Sequence, residues 1–282
     1  MSVKVLIVTG DRADYDLLAP VARELDSRAE FSVGFIVTGS HLIAQYGMTI
    51  DLIRKDGFNI IARVNNLLHS DMPSARAKSL SIELSSFVDI IDNYDPEIVL
   101  VLGDREDALA AAIASVYAGK LCVHLCGGDA ASDGNSDNSV RDAVSKLAHI
   151  HFTTTEASRS RLIKIGEDQW RCYSVGATGL DSIALLPEIS KEEIMKKMAV
   201  QKMPEKYAIL IQHPILSDLD KSLTDFAASL EALVEMDVTT FIGRPNSDPG
   251  NSGLHSLINL YTTKFKKLIS YTNLSRIDFV NL

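Results

Sequence analysis

The sequence predicts an α/β protein of two Rossmann-like, doubly wound domains, the second of them incomplete. Three observations carry this. Aliphatic runs of strand length recur without strict alternation, which marks strands buried on both faces. Amphipathic stretches separate them, which marks the helical crossovers of a parallel sheet. After a charged segment, Lys191 to Lys206, the pattern starts again.

In chain order, the first strand is expected at Val3–Thr9 and the first helix at Asp14–Leu25. Strands follow at Phe31–Val37, Phe58–Val64, Glu97–Leu102, Leu121–Leu125 and His149–Thr154, with helices at Ala75–Ile91 and Ser139–Leu147. Asp95-Pro96 fits a break before the fourth of these runs, because the residue before proline is pushed out of helical geometry. A strand at Arg171–Val175 leads into Gly176-Ala177-Thr178-Gly179, and a helix-like stretch with Pro187 follows. We place the boundary at 176/177. Residues 1–176 then form one domain, and residues 177–282 form part of a second. In the second domain we expect strands at 207–211, 238–242 and 276–280, with helices at about 220–236 and 253–268. No helix follows the last run to cover it. Complete domains manage such uncovered strands, which is why a truncated or genuinely short second domain is expected.

Composition narrows the function classes. A chain of 282 residues has room for one large or two medium domains. Apolar residues at 46% and charged residues at 23% suit a folded globular protein. A net charge of −9, with no Lys/Arg block, excludes a general affinity for nucleic acid. Cys122, Cys126 and Cys172 are few and show no pairing pattern, so they read as reduced structural thiols of a cytoplasmic protein. The N-terminal apolar run is too short for a signal peptide, and no run reaches the length of a membrane span.

The residues with chemistry in them gather at strand ends. The strand EIVLVL ends in Gly103-Asp104-Arg105-Glu106, and the next ends in Gly127-Gly128-Asp129, with Asp137 and Arg141 in the polar stretch beyond. The C-terminal edge of an open α/β sheet is where ligands bind. Two carboxylates in one cleft are suited to moving protons. Asp104 could instead cap a helix, but the pairing with Asp129 favours the functional reading. The two glycines before Asp129 let the backbone approach a ligand.

Other strand ends are weaker signals. Thr9-Gly10-Asp11-Arg12 is a glycine turn into a helix, a ready anion site, although Asp11 or Asp14 could simply cap that helix. Its spacing is not the dinucleotide fingerprint. His41 follows Thr38-Gly39-Ser40, either as a ligand contact or as a loop histidine. His149 and His151 would share one strand face, but no third ligand is near, so we read them as structural. Gln212-His213-Pro214 and Gly243-Arg244-Pro245-Asn246 end two strands of the second domain and would face the same cleft. No cofactor or metal follows from the sequence.

The strings TGDRADYDLLAP, GSHLIAQYG, LGDREDALA, HLCGGD…SVRDAVSKLAHIHF, QHP and PNSDPG occur in this order along essentially the whole chain. Together they resemble the hydrolysing UDP-N-acetylglucosamine 2-epimerases of sialic-acid biosynthesis, including the epimerase half of the bifunctional animal enzyme. The resemblance implies a glycosyltransferase-B-like fold with the nucleotide sugar in the cleft, a homodimer, and conversion of UDP-N-acetylglucosamine and water to N-acetylmannosamine and UDP through a 2-acetamidoglycal. It implies that Asp104 and Asp129, in the 1–176 domain, belong to the acid/base set, with Asp137 and His213 also among the catalytic residues. It implies too that Arg12 and His213 grip the diphosphate, and that 177–282 is part of a nucleotide-binding domain. His41, Arg105, Glu106, Asn138, Arg141, Arg244 and Asn246 complete the substrate-binding set.

The chain also departs from the family pattern. Asp129 stands where glutamate is common, and is one methylene shorter. Asn138 stands where a second acid is common and cannot act as a base; the loop between Gly128 and Asp137 is longer than usual, which leaves Asp133 or Asp137 as candidates to take that role. Asp142 replaces a histidine. The chain ends before the family's Gly-Asn-Ser-Ser-Ser-Gly loop. An impaired nucleotide-sugar binder and a GDP-sugar epimerase are the alternatives.

Overall fold

The structure, a computed structural model, describes residues 2–68, 70, 72–132, 136–202, 204–215, 218–246, 248, 250–272 and 274–282. The chain divides into two compact units, residues 1–69 with 73–184, and residues 70–72 with 185–282. The division thus falls at 184/185, eight residues beyond the 176/177 boundary placed from the sequence.

The first unit runs β1 (Val3–Thr9), α1 (Arg12–Asp26), β2 (Phe31–Val37), α2 (Ile50–Lys55), β3 (Asn59–Arg63), α3 (Pro73–Tyr94), β4 (Ile98–Leu102), α4 (Glu106–Tyr117), β5 (Leu121–Leu125), α5 (Ser136–Leu147), β6 (Ile150–Thr153), α6 (Glu156–Lys164), β7 (Cys172–Ser174) and α7 (Thr178–Leu185). Its sheet is parallel throughout, in the order β3-β2-β1-β4-β5-β6-β7. Alternate residues of β1 enter opposite cores, which is why the strand reads as a continuous apolar run. Val5 and Ile7 pack with Phe35 against Tyr15 and Leu18 of α1 and Ile53 of α2. Leu6 and Val8 pack with Val99 and Val101 against Phe87 and Ile91 of α3 and the alanines of α4. The alanine-rich face lets α4 lie close between α3 and α5.

The order of winding reverses at β1, which pairs with β2 on one side and β4 on the other. Loops leaving these neighbouring strands diverge to opposite faces, and a crevice opens between them. The β1 and β4 turns flank that crevice.

The second unit runs α8 (Lys191–Lys197), β8 (Tyr207–Leu210), α9 (Leu219–Glu235), β9 (Thr239–Gly243), α10 (Asn251–Lys264), β10 (Leu268–Tyr271) and α11 (Arg276–Asn281). Its parallel sheet has the order β10-β9-β8. Phe226 of α9 and Ile258 of α10 cover one face, with Ile242. Ile194 and Met198 pack around Phe241 on the other, with Leu274.

Two sequence expectations fail here. The third strand is Leu268–Tyr271, because α10 ends at Lys264 rather than 268. The segment expected as a strand at 276–280 is helix α11. Ser275 caps it, its side chain accepting from the Asp278 N–H, and this local bond outweighs the alternating look of Arg276 to Val280. Asp278 pairs with Lys197, tying α11 to α8. The last strand is therefore followed by a helix, contrary to expectation. Among the described residues no helix is long and apolar enough to cross a membrane.

Candidate functional site

The turn after β4 begins at Gly103, whose φ of +73° suits glycine. Asp104 follows and is not the helix cap, a place taken by Arg105. Asp104 instead forms an ion pair with Arg141 of α5. The same guanidinium donates to the Asp129 carbonyl at 2.9 Å and to Asn138 Oδ1 at 3.4 Å. One arginine thus joins the β4 turn, the β5 turn and the first turns of α5.

The glycines after β5 serve the packing of the protein itself. A Cβ on Gly128 would lie 2.2 Å from the Ser158 carbonyl oxygen, and one on Gly127 would lie 3.0 Å from His124 Nδ1. They let the backbone approach α6 and His124. Asp129 is held by that approach, its Oδ1 accepting from the Thr154 and Ser158 hydroxyls at 2.6 Å each.

Asp137 opens α5 and lies 3.9 Å from Arg76, which also grips Glu106 with a shortest contact of 2.7 Å. Burial opposes ionisation of Glu106, but Arg105 and Arg76 outweigh it and hold the carboxyl below its usual range. Asn138 uses both ends of its amide on Ala131, accepting from its N–H at 2.9 Å and donating to its carbonyl at 2.7 Å. A carboxylate could not make the second bond. Asp133 lies outside the described residues.

At the β1 turn, Asp11 caps α1 through Asp14 N–H at 3.0 Å and pairs with Arg105 at 3.3 Å. Arg12 is the first helical residue and is half-buried. Burial, then Asp11 and Asp107, raise the Asp14 carboxyl well above its usual range. His41 is fully buried. Its Nε2 meets Thr9 Oγ1 at 3.0 Å and its Nδ1 meets Thr49 Oγ1 at 2.7 Å, so both ring nitrogens are committed. Burial lowers it to about 4, against the pull of Asp11. It braces the loop and has no nitrogen left for a substrate contact.

Buried acids that the sequence reading missed line the underside of this edge. The Asp107 carboxyl lies over Gly10, where a Cβ would come within 2.9 Å of it. Burial raises Asp107 to about 7, with Glu106 and Asp11 adding to the rise and Arg105 opposing it. Glu83 accepts from Thr38 Oγ1 at 2.9 Å and Asn66 Nδ2 at 2.7 Å. Asp107 was inside the string LGDREDALA, but Glu83 and Arg76 carry no local signal on α3. His124, also missed, was visible as the one polar side chain in LCVHL.

His149 precedes β6 and accepts from the Cys122 N–H at 3.1 Å, while His151 is buried 3.3 Å from Glu167. Among the described residues no group of three or more His, Cys, Asp or Glu could hold a metal. The three cysteines are free.

In the second unit, His213 is exposed beyond the end of β8. Arg244 is turned onto α10, meeting Asn259 Oδ1 at 2.6 Å and His255 Nδ1 at 3.3 Å. Asn246 donates to Asp248 at 2.8 Å, closing the turn after β9.

A family model described as UDP-N-acetylglucosamine 2-epimerase matches residues 23–282. A UDP-N,N'-diacetylbacillosamine 2-epimerase (hydrolyzing) of Legionella pneumophila is 36% identical over 258 residues, covering 92% of this chain and 68% of the relative. A GDP/UDP-N,N'-diacetylbacillosamine 2-epimerase (hydrolyzing) of Campylobacter jejuni is 28% identical, covering 93% of this chain and 67% of the relative. The fold matches the crystal structure of a UDP-GlcNAc 2-epimerase from Neisseria meningitidis bound to UDP-GlcNAc, with a TM-score of 0.79 and 20% identity over 98% of this chain and 74% of that one.

Proposed function

The chain belongs to the UDP-N-acetylglucosamine 2-epimerase family, and from that premise we propose that it is a hydrolysing 2-epimerase of UDP-linked 2-acetamido sugars. The observation that carries the proposal is the meeting of three acid-bearing segments: Arg141 pairs with the Asp104 carboxylate and holds the Asp129 backbone carbonyl, and Arg76 lies 3.9 Å from Asp137 in the first turn of α5.

In the proposed reaction a carboxylate takes the proton from C2 while the C1–O bond to UDP breaks. The C–H electrons form the C1=C2 bond of a 2-acetamidoglycal, and the C1–O electrons leave on the diphosphate. Water then adds its oxygen to C1, and C2 takes a proton on the opposite face. UDP-N-acetylglucosamine would give N-acetylmannosamine and UDP. Because the C2 proton is weakly acidic, base and leaving-group stabilisation must act together. Asp104 and Asp129 supply the proton transfers in this reading, with Asp137 beside them. Arg12, at the positive end of α1, and His213 receive the diphosphate. Arg105, Glu106, Arg244 and Asn246 hold the rest of the substrate. His41 and Asn138, whose polar atoms are committed within the protein, support the loops. The working form is a cytoplasmic homodimer.

UDP-N-acetylglucosamine is the first substrate to try. The Legionella relative favours UDP-N,N'-diacetylbacillosamine, which carries a second acetamido group, as the next. The test supplies both, and the GDP-linked sugar, while free nucleoside diphosphate and the released sugar are measured. A UDP-sugar giving UDP and its 2-epimer supports the proposal. Release with retained configuration at C2 contradicts it. Binding without release from any of them selects the second reading, an impaired nucleotide-sugar binder, which Asn138 favours because it cannot transfer a proton.

A further inference from the structure

His124 lies on β5, fully buried, and no step above uses it. Its Nε2 is 2.8 Å from the Gly103 carbonyl oxygen, and its Nδ1 is 3.0 Å from Ser145 Oγ on α5. A carbonyl oxygen only accepts, so Nε2 carries the ring proton. Nδ1 then accepts from the Ser145 hydroxyl. Gly127 lies close against the same ring, where a Cβ would come within 3.0 Å of Nδ1. The imidazole therefore touches the β4 turn that bears Asp104, the β5 turn that bears Asp129, and the helix that bears Asp137 and Arg141.

We propose that His124 is a positioning residue, a neutral brace that fixes these three carboxylate-bearing segments in one register. Arg141 ties the same segments through charged and polar contacts at the strand ends. The histidine ties them from inside the sheet, where no ligand reaches. Desolvation supports the neutral form by lowering the imidazole to about 4. Small displacements of reacting groups are costly to catalysis, so the brace acts on the rate of the chemical step more than on substrate binding.

The kinetic test rests on the epimerase reading; a second measurement does not. His124→Asn keeps a group at the Nδ1 position but cannot reach Gly103. His124→Gln keeps a donor at the Nε2 position. In turnover, the Asn variant is expected to lose about a hundredfold in kcat with KM within about threefold, and the Gln variant to stay within about threefold in both. Amide hydrogen exchange at residues 103–106 and 127–129 is expected to quicken about tenfold in the Asn variant, what one lost hydrogen bond supplies, and to stay unchanged in the Gln variant. Equal losses in both variants overturn the proposal, because that pattern is packing alone. Unchanged exchange in the Asn variant overturns it too. If the parent protein turns over no nucleotide sugar, the epimerase reading falls, and the exchange comparison alone decides the brace.

Discussion

Replacing Glu83 by Gln removes a buried proton-binding group while keeping its shape. Glu83 is 1% exposed and its Oε2 has no hydrogen-bond partner. Burial first, and the charge of Asp107 second, push its carboxyl from 4.5 up to about 9. The folded chain thus keeps a proton that the unfolded chain releases. Its stabilising contribution is complete below pH 4.5 and is lost as the pH rises toward 9. From 4.5 to neutrality is about 2.5 pH units, each worth about 1.36 kcal/mol, so the loss at pH 7 is about 3 kcal/mol. Gln keeps the acceptor for Thr38 and Asn66 and does not titrate. The variant is expected to match the parent near pH 4.5 and to exceed it by about 3 kcal/mol at pH 7. Urea unfolding between pH 4.5 and 8.5, followed by fluorescence, measures this, because Trp170 is the single tryptophan and lies in the first unit. A shallower slope remains from Asp107. Parallel pH profiles for parent and variant would refute the buried-acid assignment.

Asp104→Asn is expected to lower kcat by about 10²–10⁴-fold with the circular dichroism spectrum intact, since it removes a proton acceptor but not the fold; retained turnover removes Asp104 from the mechanism. Gly128→Ala meets the Ser158 carbonyl at 2.2 Å and a φ of +78°. It is expected to cost about 2–5 kcal/mol in urea unfolding, from left-handed strain and overpacking together, and an unchanged midpoint would contradict the turn geometry. Asn138→Asp loses the donor to the Ala131 carbonyl and is expected to cost about 1 kcal/mol; quickened proteolysis of the β5–α5 loop is the readout, and an equally resistant loop would show that the amide does not hold it.

The strands of the first unit were legible because each is a continuous aliphatic run bounded by polar or glycine turns. β1, β2 and β5 have the limits read from the sequence. The last strand was not legible, because LISY is short and follows a helix whose apolar pattern runs straight into it. The cap of α11 by Ser275 was readable as Ser-x-x-Asp, but the alternation of Ile277 and Phe279 hid it. The Asp104 and Asp129 turns were found because both the strand end and the carboxylate are local features. Glu83, Arg76 and the brace at His124 depend on partners 17 to 45 residues away. The packing of α3, α4 and α5 against the sheet and its turns creates those partnerships, and spacing along the chain does not encode it. The glycines at 127–128 show the same limit: the need for a close approach was readable, but not what approaches.

The measurement that bears most directly on the account is proton NMR of the purified protein with a UDP-2-acetamido sugar in D2O, starting with UDP-N-acetylglucosamine. Elimination and re-addition predict free UDP and a 2-epimeric sugar carrying deuterium at C2, because the original proton is lost to a carboxylate that exchanges with solvent. A released sugar that keeps protium at C2 and its original configuration would contradict the mechanism, since the C2–H bond would never have been broken.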